Sequence, residues 1–358
     1  MIKHLVLCGG GHSIFKSIGA LQTLEKNNFW NISNIKSIYG TSAGAILGAM
    51  LCLKFDNAII ENYLVNRPWH DAFPIKAGQI MDAYSKKGLY DHHVADIIFK
   101  PLLNAKDLPL TITMQGLYDY SNIELHMYSL EMNEFKVVDI SYKTHPELPL
   151  MTGLIMSSAV PGIFVPYCEH DKCYVDGGVV VNYPLNNCLK NGCDKNEILG
   201  VRFSYVNDLD DVKVATNVDE KDLNLEEVDT KGRNGPPTQT YLINKESNIL
   251  DFFMGFFGKL IQAIGTEHVQ ERIPNELICR TTFMTIKALK TAMTSLDNRR
   301  RLFDDGSKEA EAYFLAHKDS ANMVTVNSTN STNSTNSTIA ETNAMTDCHP
   351  EIELKHGI

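Results

Sequence analysis

The stretch Ile35–Leu51, IKSIYGTSAGAILGAML, decides how this chain is read. Ile35, Ile38 and Tyr39 make a short apolar run that meets Gly40-Thr41-Ser42-Ala43-Gly44, and small and apolar residues follow. The pattern predicts a strand, a tight turn and a buried helix, with G-x-S-x-G at the turn. A serine on such a bend is pushed out of the sheet top. Gly40 and Gly44 are expected where side chains would strike the neighbouring strand and helix. Ser42 also falls where the helix begins, so amide groups and the helix dipole favour negative charge beside it. The expectation is a serine hydrolase built around Ser42, and five residues alone do not establish it.

Length allows one large α/β domain or two small ones in 358 residues. A hydrophobic content of 44% and a charged content of 21% are ordinary for a globular chain. A formal net charge of -10 argues against nucleic acid as a partner and gives no general attraction to anionic lipid. Membrane contact would then depend on an apolar surface or a local basic patch. No run reaches the ~18 apolar residues of a spanning helix. The start, MIKHLVLCGGG, has too short an apolar stretch for a signal peptide and reads as the first strand. These features place the protein in the cytosol, with eight cysteines expected as thiols. Cys168-x4-Cys173 and Cys188-x4-Cys193 are a candidate zinc site, but the spacing is loose and the segment between them reads as sheet, so ordinary thiols are the preferred reading. No metal and no cofactor is expected.

His4–Cys8 reads as a buried strand ending in Gly9-Gly10-Gly11, and Phe15, Ile18, Leu21 and Leu24 lie at helical spacing. Three chemistries compete for this strand, glycine loop and helix. A phosphate loop would use Gly10-x4-Phe15-Lys16-Ser17, with Phe in place of its second glycine. A dinucleotide fingerprint would use Gly9-x-Gly11-x-x-Ile14, which lacks the third glycine and a following acidic residue. An oxyanion hole needs only amide groups, and Ser42 ends the very next strand. The oxyanion reading is preferred.

Further along, helical pieces are expected over 55–104, a strand over Leu108–Met114, and a hairpin from Ile123–Leu130 and Phe135–Ile140. A short helix spans Pro149–Ala159, and Asp176-Gly177-Gly178 stands at a strand end. That aspartate reads either as a turn residue capping its own loop or as a buried carboxylate in need of a partner. A helix is expected over Asn182–Asn191 and a buried strand over Glu197–Phe203. Residues 207–240 are acidic and poor in apolar groups, as in a flexible insertion. Residues 249–264, ILDFFMGFFGKLIQAI, form an apolar helix read either as core or as a lid that meets lipid. A last strand and helix fall within Glu267–Lys290, and an amphipathic helix, broken at Gly306, spans Asp297–Leu315. The folded domain is expected over 1–318, followed by a disordered Asn/Ser/Thr-rich tail over 319–358.

A nucleophilic serine needs a base. Of twelve histidines only His268 is a candidate, and it sits in a helical stretch; His12 lies in the glycine loop. Asp176 can take the role directly if burial raises its pKa toward neutrality. Gly9-Gly10-Gly11, Gly40-Thr41-Ser42-Ala43-Gly44 and Asp176-Gly177-Gly178, in this order, resemble the patatin-like phospholipase family. Ser157-Ser158-Ala159-Val160-Pro161, the segment Val180–Pro184 and the helix Leu302–Phe314 are similar to segments of the same family. The resemblance covers about Ile2–Ala316. It implies a three-layer α/β/α sandwich with a mainly parallel central sheet. It also implies a metal-free Ser42–Asp176 dyad, an oxyanion hole from Gly9, Gly10 and Gly11, and an acyl lipid or phospholipid substrate met at a membrane surface. Gly40, Gly44, Gly177 and Gly178 would support these motifs. The family loop reads G-G-G-x-[RK]-G, and Ser13 and Ile14 here replace its basic residue and last glycine. Lys16 is a candidate substitute one turn on. This departure keeps open the alternative of a weakly active or inactive lipid-binding protein on the same fold.

Overall fold

The computed structural model describes residues 1–71, 73, 83, 85–205, 252, 255–256, 259, 272–282 and 284–333. The first of two compact units, Met1–Tyr313, holds every described strand and the site. Its sheet runs in the order β10-β9-β1-β2-β4-β8-β7, with β5 pairing β4 off that path. The strands are β1 (His4–Leu7), β2 (Ser37–Thr41), β4 (Glu124–Glu131), β5 (Lys136–Ile140), β7 (Tyr167–Glu169), β8 (Lys172–Asp176), β9 (Ile198–Tyr205) and β10 (Asn275–Thr281). Four pairings in the centre, β10–β9, β9–β1, β1–β2 and β2–β4, are parallel; β5, β8 and β7 add antiparallel strands at one side. β3 (Gly88–Tyr90) and β6 (Gly162–Phe164) pair separately. The mainly parallel sheet is therefore as expected. Its central strands read as continuous apolar runs because both faces are covered.

Helices cover both faces. On β2, Ile38 faces α2 (Ala43–Cys52), where Gly48 lets the helix approach Ile38 and Leu125. Gly153 of α6 (Leu150–Ser158) packs the same way against Met127 and Ile140. The alternate residue Tyr39 points to the other face, where it stacks on His126 at 4.4 Å and receives Asn191 after α7 (Leu185–Lys190). This is period-2 alternation dividing two helix layers. The other described helices are α1 (Ile14–Lys26), α3 (Asn57–Glu61), α4 (His93–Asn104), α5 (Met114–Ser121), α8 (Ile286–Thr294) and α9 (Leu296–Asn333). Among the described residues no helix is long and apolar enough to cross a membrane.

Three expectations are corrected. Leu108–Met114 is not a strand. Ile112 N–H closes a turn on Pro109 O at 3.0 Å, and Thr113 Oγ1 accepts from Gly116 N–H at 3.1 Å to cap α5. The alternation of Leu110, Ile112 and Met114 was thus a turn leading into a helix. Nor does Gly306 break the last helix: α9 runs through it and on to Asn333. A Cβ at Gly306 would lie 2.1 Å from Lys16 O of α1, and one at Gly19 would lie 2.2 Å from Phe303 O, so the glycines serve a backbone-to-backbone crossing. Finally, Cys168 and Cys173, opposite each other in β7–β8, form a disulfide instead of two thiols. Residues 207–240, His268 and the tail beyond 333 lie outside the described residues. So does most of 249–264, of which Phe252, Gly255, Phe256 and Lys259 are helical, with Phe252 and Phe256 exposed.

α9 also fixes the wall of the site. Arg299, 2% exposed, donates from Nε to Val65 O at 2.7 Å, from Nη2 to Arg67 O at 3.0 Å, and from Nη1 to Ala292 O at 2.9 Å at the end of α8. The α1–α9 crossing gives a test in which two effects have opposite signs. Helix propensity alone predicts that Gly306→Ala stabilises by about 1 kcal/mol. The clash with Lys16 O predicts a net loss of about 2 kcal/mol instead. Urea unfolding reads the sign, and a gain in stability would mean that the two helices can part without cost.

Candidate active site

Ser42 stands between β2 and α2 with φ 55° and ψ -122°, a strained backbone for a residue with a side chain. The strain is held by contact on both sides. A Cβ at Gly44 would lie 2.3 Å from Leu7 O, and one at Gly40 would lie 2.6 Å from the Gly44 carbonyl. Only glycine lets the strand, the helix start and β1 meet here. The Ser42 N–H donates to Ser157 Oγ at 3.1 Å, and Ser157 Oγ donates to Tyr128 O at 2.8 Å. Ser157 thereby bridges the elbow to β4, a role its place in a small-residue segment did not reveal.

Asp176 ends β8, 3% exposed, and its Oδ1 accepts from Gly178 N–H at 2.7 Å. The Ser42 hydroxyl faces the same carboxylate and favours its charged form. Burial pushes the Asp176 pKa up to about 6, and the bonds from Ser42 and Gly178 only partly oppose that rise. Both sequence readings of this residue hold at once: it caps its own turn, and its partner is Ser42. The structure thus brings together Ser42 and Asp176, from motifs 134 residues apart in the chain (176 − 42).

The glycine loop lies over this pair. A Cβ at Gly9 would be 3.2 Å from Ser42 Cβ. Gly9 N–H is already donated to Asn182 O at 2.9 Å, and Asn182 Nδ2 returns a bond to Gly9 O at 3.1 Å. Gly9 therefore braces the loop, and its amide is not free to meet a substrate. Among the described residues the Gly10 and Gly11 amides carry no acceptor. Gly11 has φ +52°, and a Cβ there would lie 2.0 Å from Met284 Sδ, so Met284 rests on the loop. Asn182 and Met284 are site residues that no spacing rule marks.

The two departures from the family loop have visible consequences. Ser13, where the basic residue would stand, is fully buried and its Oγ lies 2.7 Å from Thr281 Oγ1 of β10. Lys16 does not replace the basic residue. Its ammonium donates to Arg280 O and pairs with Glu309 at 3.1 Å, so it ties α1 to β10 and α9. It is also buried. His12 is buried as well, with Nδ1 unpartnered among the described residues and its pKa pushed down to about 4 by burial and by Arg301 and Lys16.

Ser42 opens into an apolar cavity. Its walls are almost wholly apolar: Ile14 and Phe15 of α1, Ile46 and Met50 of α2, Leu64, Trp69, Phe73, Phe99, Leu154, Phe164 and, from α8, Leu289 and Met293. Among the described lining residues, Ser158, Asp91, His92 and the Tyr90 hydroxyl are the polar groups besides Ser42. Edge contacts of Phe73 with Tyr90 at 5.3 Å stiffen one wall. Among the described residues no cluster of His, Cys, Asp and Glu could hold a metal.

This combination of strained serine, buried aspartate and glycine loop on a three-layer sheet is that of a patatin-type fold. The family model for "Patatin-like phospholipase" matches residues 5–189, and the chain belongs to that family. A "Probable lipid hydrolase 463L" of Invertebrate iridescent virus 6 is 25% identical over 200 residues, covering 54% of this chain and 66% of its own. An "Uncharacterized protein R571" of Acanthamoeba polyphaga mimivirus is 26% identical over 219 residues, covering 61% and 70%. The chain thus spans about two thirds of the length of these relatives. Among solved structures, VipD from Legionella pneumophila matches with a TM-score of 0.41 at 17% identity, covering 85% of this chain and 67% of that one. ExoU of Pseudomonas aeruginosa, in complex with SpcU, gives 0.36 at 12% identity, covering 87% and 52%.

Ser157 offers a direct check on the elbow. Ser157→Ala removes the acceptor of Ser42 N–H and the donor to Tyr128 O, and should cost about 1–3 kcal/mol in urea unfolding. An unchanged midpoint would show that the elbow does not rely on this bridge.

Proposed function

We propose that the protein is a serine acyl hydrolase of lipid esters, acting through Ser42 and Asp176. The observation that carries this reading is the buried Asp176 carboxylate facing the Ser42 hydroxyl at the wall of an apolar cavity. A carboxylate with its pKa near 6 is mostly ionised at neutral pH, yet basic enough to take a proton from an attacking hydroxyl. Ser42 Oγ attacks the ester carbonyl as its proton passes to Asp176. Negative charge develops on the carbonyl oxygen, and the Gly10 and Gly11 amides are the donors placed to meet it. The alcohol leaves with the proton from Asp176, and the acyl group stays on Ser42. Water then attacks the acyl-enzyme while Asp176 takes its proton; the bond to Ser42 Oγ breaks, the carboxylic acid leaves and Asp176 returns the proton to Ser42. The cavity walls suit a hydrocarbon chain, so the acyl part of a phospholipid or another acyl lipid is the substrate class favoured. Family membership and the relative named as a lipid hydrolase support the same class. The anchoring of Ser13 on Thr281 supports an active loop over an inactive lipid binder, since the loop is tethered without a basic residue.

Three measurements test this. A fluorophosphonate probe should label the wild type and not Ser42→Ala; a folded, unlabelled wild type would overturn the proposal. The value of kcat/KM should rise about tenfold per pH unit below about pH 6 and level off above it, as Asp176 ionises. Asp176→Asn should abolish turnover while stabilising the fold at neutral pH. The sign follows from the raised pKa: the stability that Asp176 contributes is complete below its ordinary value of 3.8 and is lost as pH rises through about 6. A neutral amide avoids that loss, about 3 kcal/mol at pH 7. A stability gain that persists at pH 3 would assign it to another cause.

A further inference from the structure

The acyl chemistry leaves one group of reactive side chains without a role, at the opposite end of the sheet from Ser42. Cys188 lies in α7, and Cys193 follows the turn at Gly192, whose φ is +83°. The Cys193 N–H donates to Cys188 O at 3.4 Å, which sets the two cysteines side by side, and each thiol acts on the other. Cys193 Sγ also lies 3.5 Å from His4 Nδ1 and 3.7 Å from Tyr39 Oη. His4 begins β1 and is paired with Ser37, whose Oγ is 2.7 Å from the same imidazole nitrogen. Asn191 Nδ2 holds Tyr39 Oη at 3.2 Å. Two sulfurs, an imidazole and a phenol are therefore gathered where the sheet needs none of them for catalysis.

Buried cysteines are often inert small apolar side chains, and Cys8, Cys52 and Cys279 fit that description: burial pushes each thiol up, to about 12 for the first two. Cys193 differs. It is half-buried, and its thiol is held well below the ordinary range by the bond from Cys188 and then by His4 and Tyr39. Cys188, fully buried, is pushed up by its neighbour Cys193 and by burial. One sulfur is reachable and surrounded by donors; the other is held beside it.

We propose that Cys188 and Cys193 form a redox-active dithiol that peroxides convert to a disulfide, with Cys193 as the attacking sulfur and Cys188 as the resolving one. The Cys193 thiolate attacks the outer oxygen of a peroxide ROOH. The O–O bond breaks, Cys193 becomes a sulfenic acid, and the departing alkoxide takes a proton to leave as ROH. The Cys188 sulfur then attacks Cys193, the S–O bond breaks, and hydroxide leaves as water with the Cys188 proton. The two thiols lose two electrons and the peroxide gains them. The site is independent of the acyl hydrolase reading. Its sequence signal was the Cys188-x4-Cys193 spacing, which repeats that of the bonded Cys168–Cys173 pair.

The test uses the full chain with hydrogen peroxide as the oxidant. Trypsin cleaves after Lys143, Lys172, Lys190 and Lys195, so in a non-reducing digest peptides 144–172 and 173–190 are already joined by Cys168–Cys173, and a 188–193 disulfide adds peptide 191–195 to them. That three-peptide species should appear after one equivalent of peroxide and vanish on reduction. Cys188→Ser should leave a sulfenic acid on Cys193 that dimedone traps. On wild type alone, iodoacetamide should alkylate Cys193 at pH 6 at least tenfold faster than it alkylates glutathione. His4→Asn should move the alkylation profile of Cys193 to higher pH, a shift that a merely structural histidine would not produce. Absence of the three-peptide species, or alkylation of Cys193 no faster than glutathione, would overturn the proposal.

Discussion

A carboxylate taken out of water is costly unless its surroundings answer it, and at Asp176 they answer only in part. One backbone amide and one serine hydroxyl stand against nearly complete burial, and the pKa settles near 6. The whole top of the sheet is arranged to keep that balance. β8 is antiparallel to β4, which brings Asp176 level with Ser129. The parallel β1, β2 and β4 bring Ser42 and the glycine loop to the same end. If water reached the carboxylate freely, its pKa would fall and the base would weaken. If the serine bond were absent, the charge would be still more costly to bury.

The same end of the sheet is also a problem of space. Three backbone turns converge on Ser42, and the distances at Gly9, Gly40 and Gly44 leave no room for a methyl group at any of them. Asn182 adds a polar clamp by bonding both the amide and the carbonyl of Gly9, and Thr41 Oγ1 donates to Val181 O at 2.7 Å beside it. The segment that follows Asp176 thus returns to hold both β2, which leads into Ser42, and the glycine loop. Far from the chemistry, Arg299 spends its donors on carbonyls of two separate wall segments. A buried guanidinium with no carboxylate partner among the described residues fits there because its fixed donors can be met by helix-end and turn carbonyls.

Much of this was legible in the chain. The apolar runs at His4–Leu7, Ser37–Thr41 and Ile198–Tyr205 are strands buried on both faces, and such strands need no partner to be recognised. Alternation was less secure. Leu110, Ile112 and Met114 alternate, but Pro109 turns the chain and Thr113 caps a helix, so local bonding overrode the pattern. Gly306 shows the converse: a helix breaker by composition becomes a contact point when another backbone lies 2.1 Å from where its Cβ would be. The spacing of Cys168 and Cys173 could not distinguish thiols from a disulfide, because strand pairing sets which sulfurs meet.

What the sequence determined by itself was the class of site: a serine on a glycine-flanked bend, a glycine loop one strand earlier, and an aspartate held by two glycines. Those features are local, since each depends on backbone shapes that only certain residues permit. The tertiary structure decided which groups act on which. It placed Asp176 against Ser42, gave the Gly9 amide to Asn182, turned Lys16 toward Glu309, and seated Met284 on Gly11. Each of those contacts joins residues far apart in the chain. They are set by strand order and helix packing, and no spacing rule within one segment contains that information.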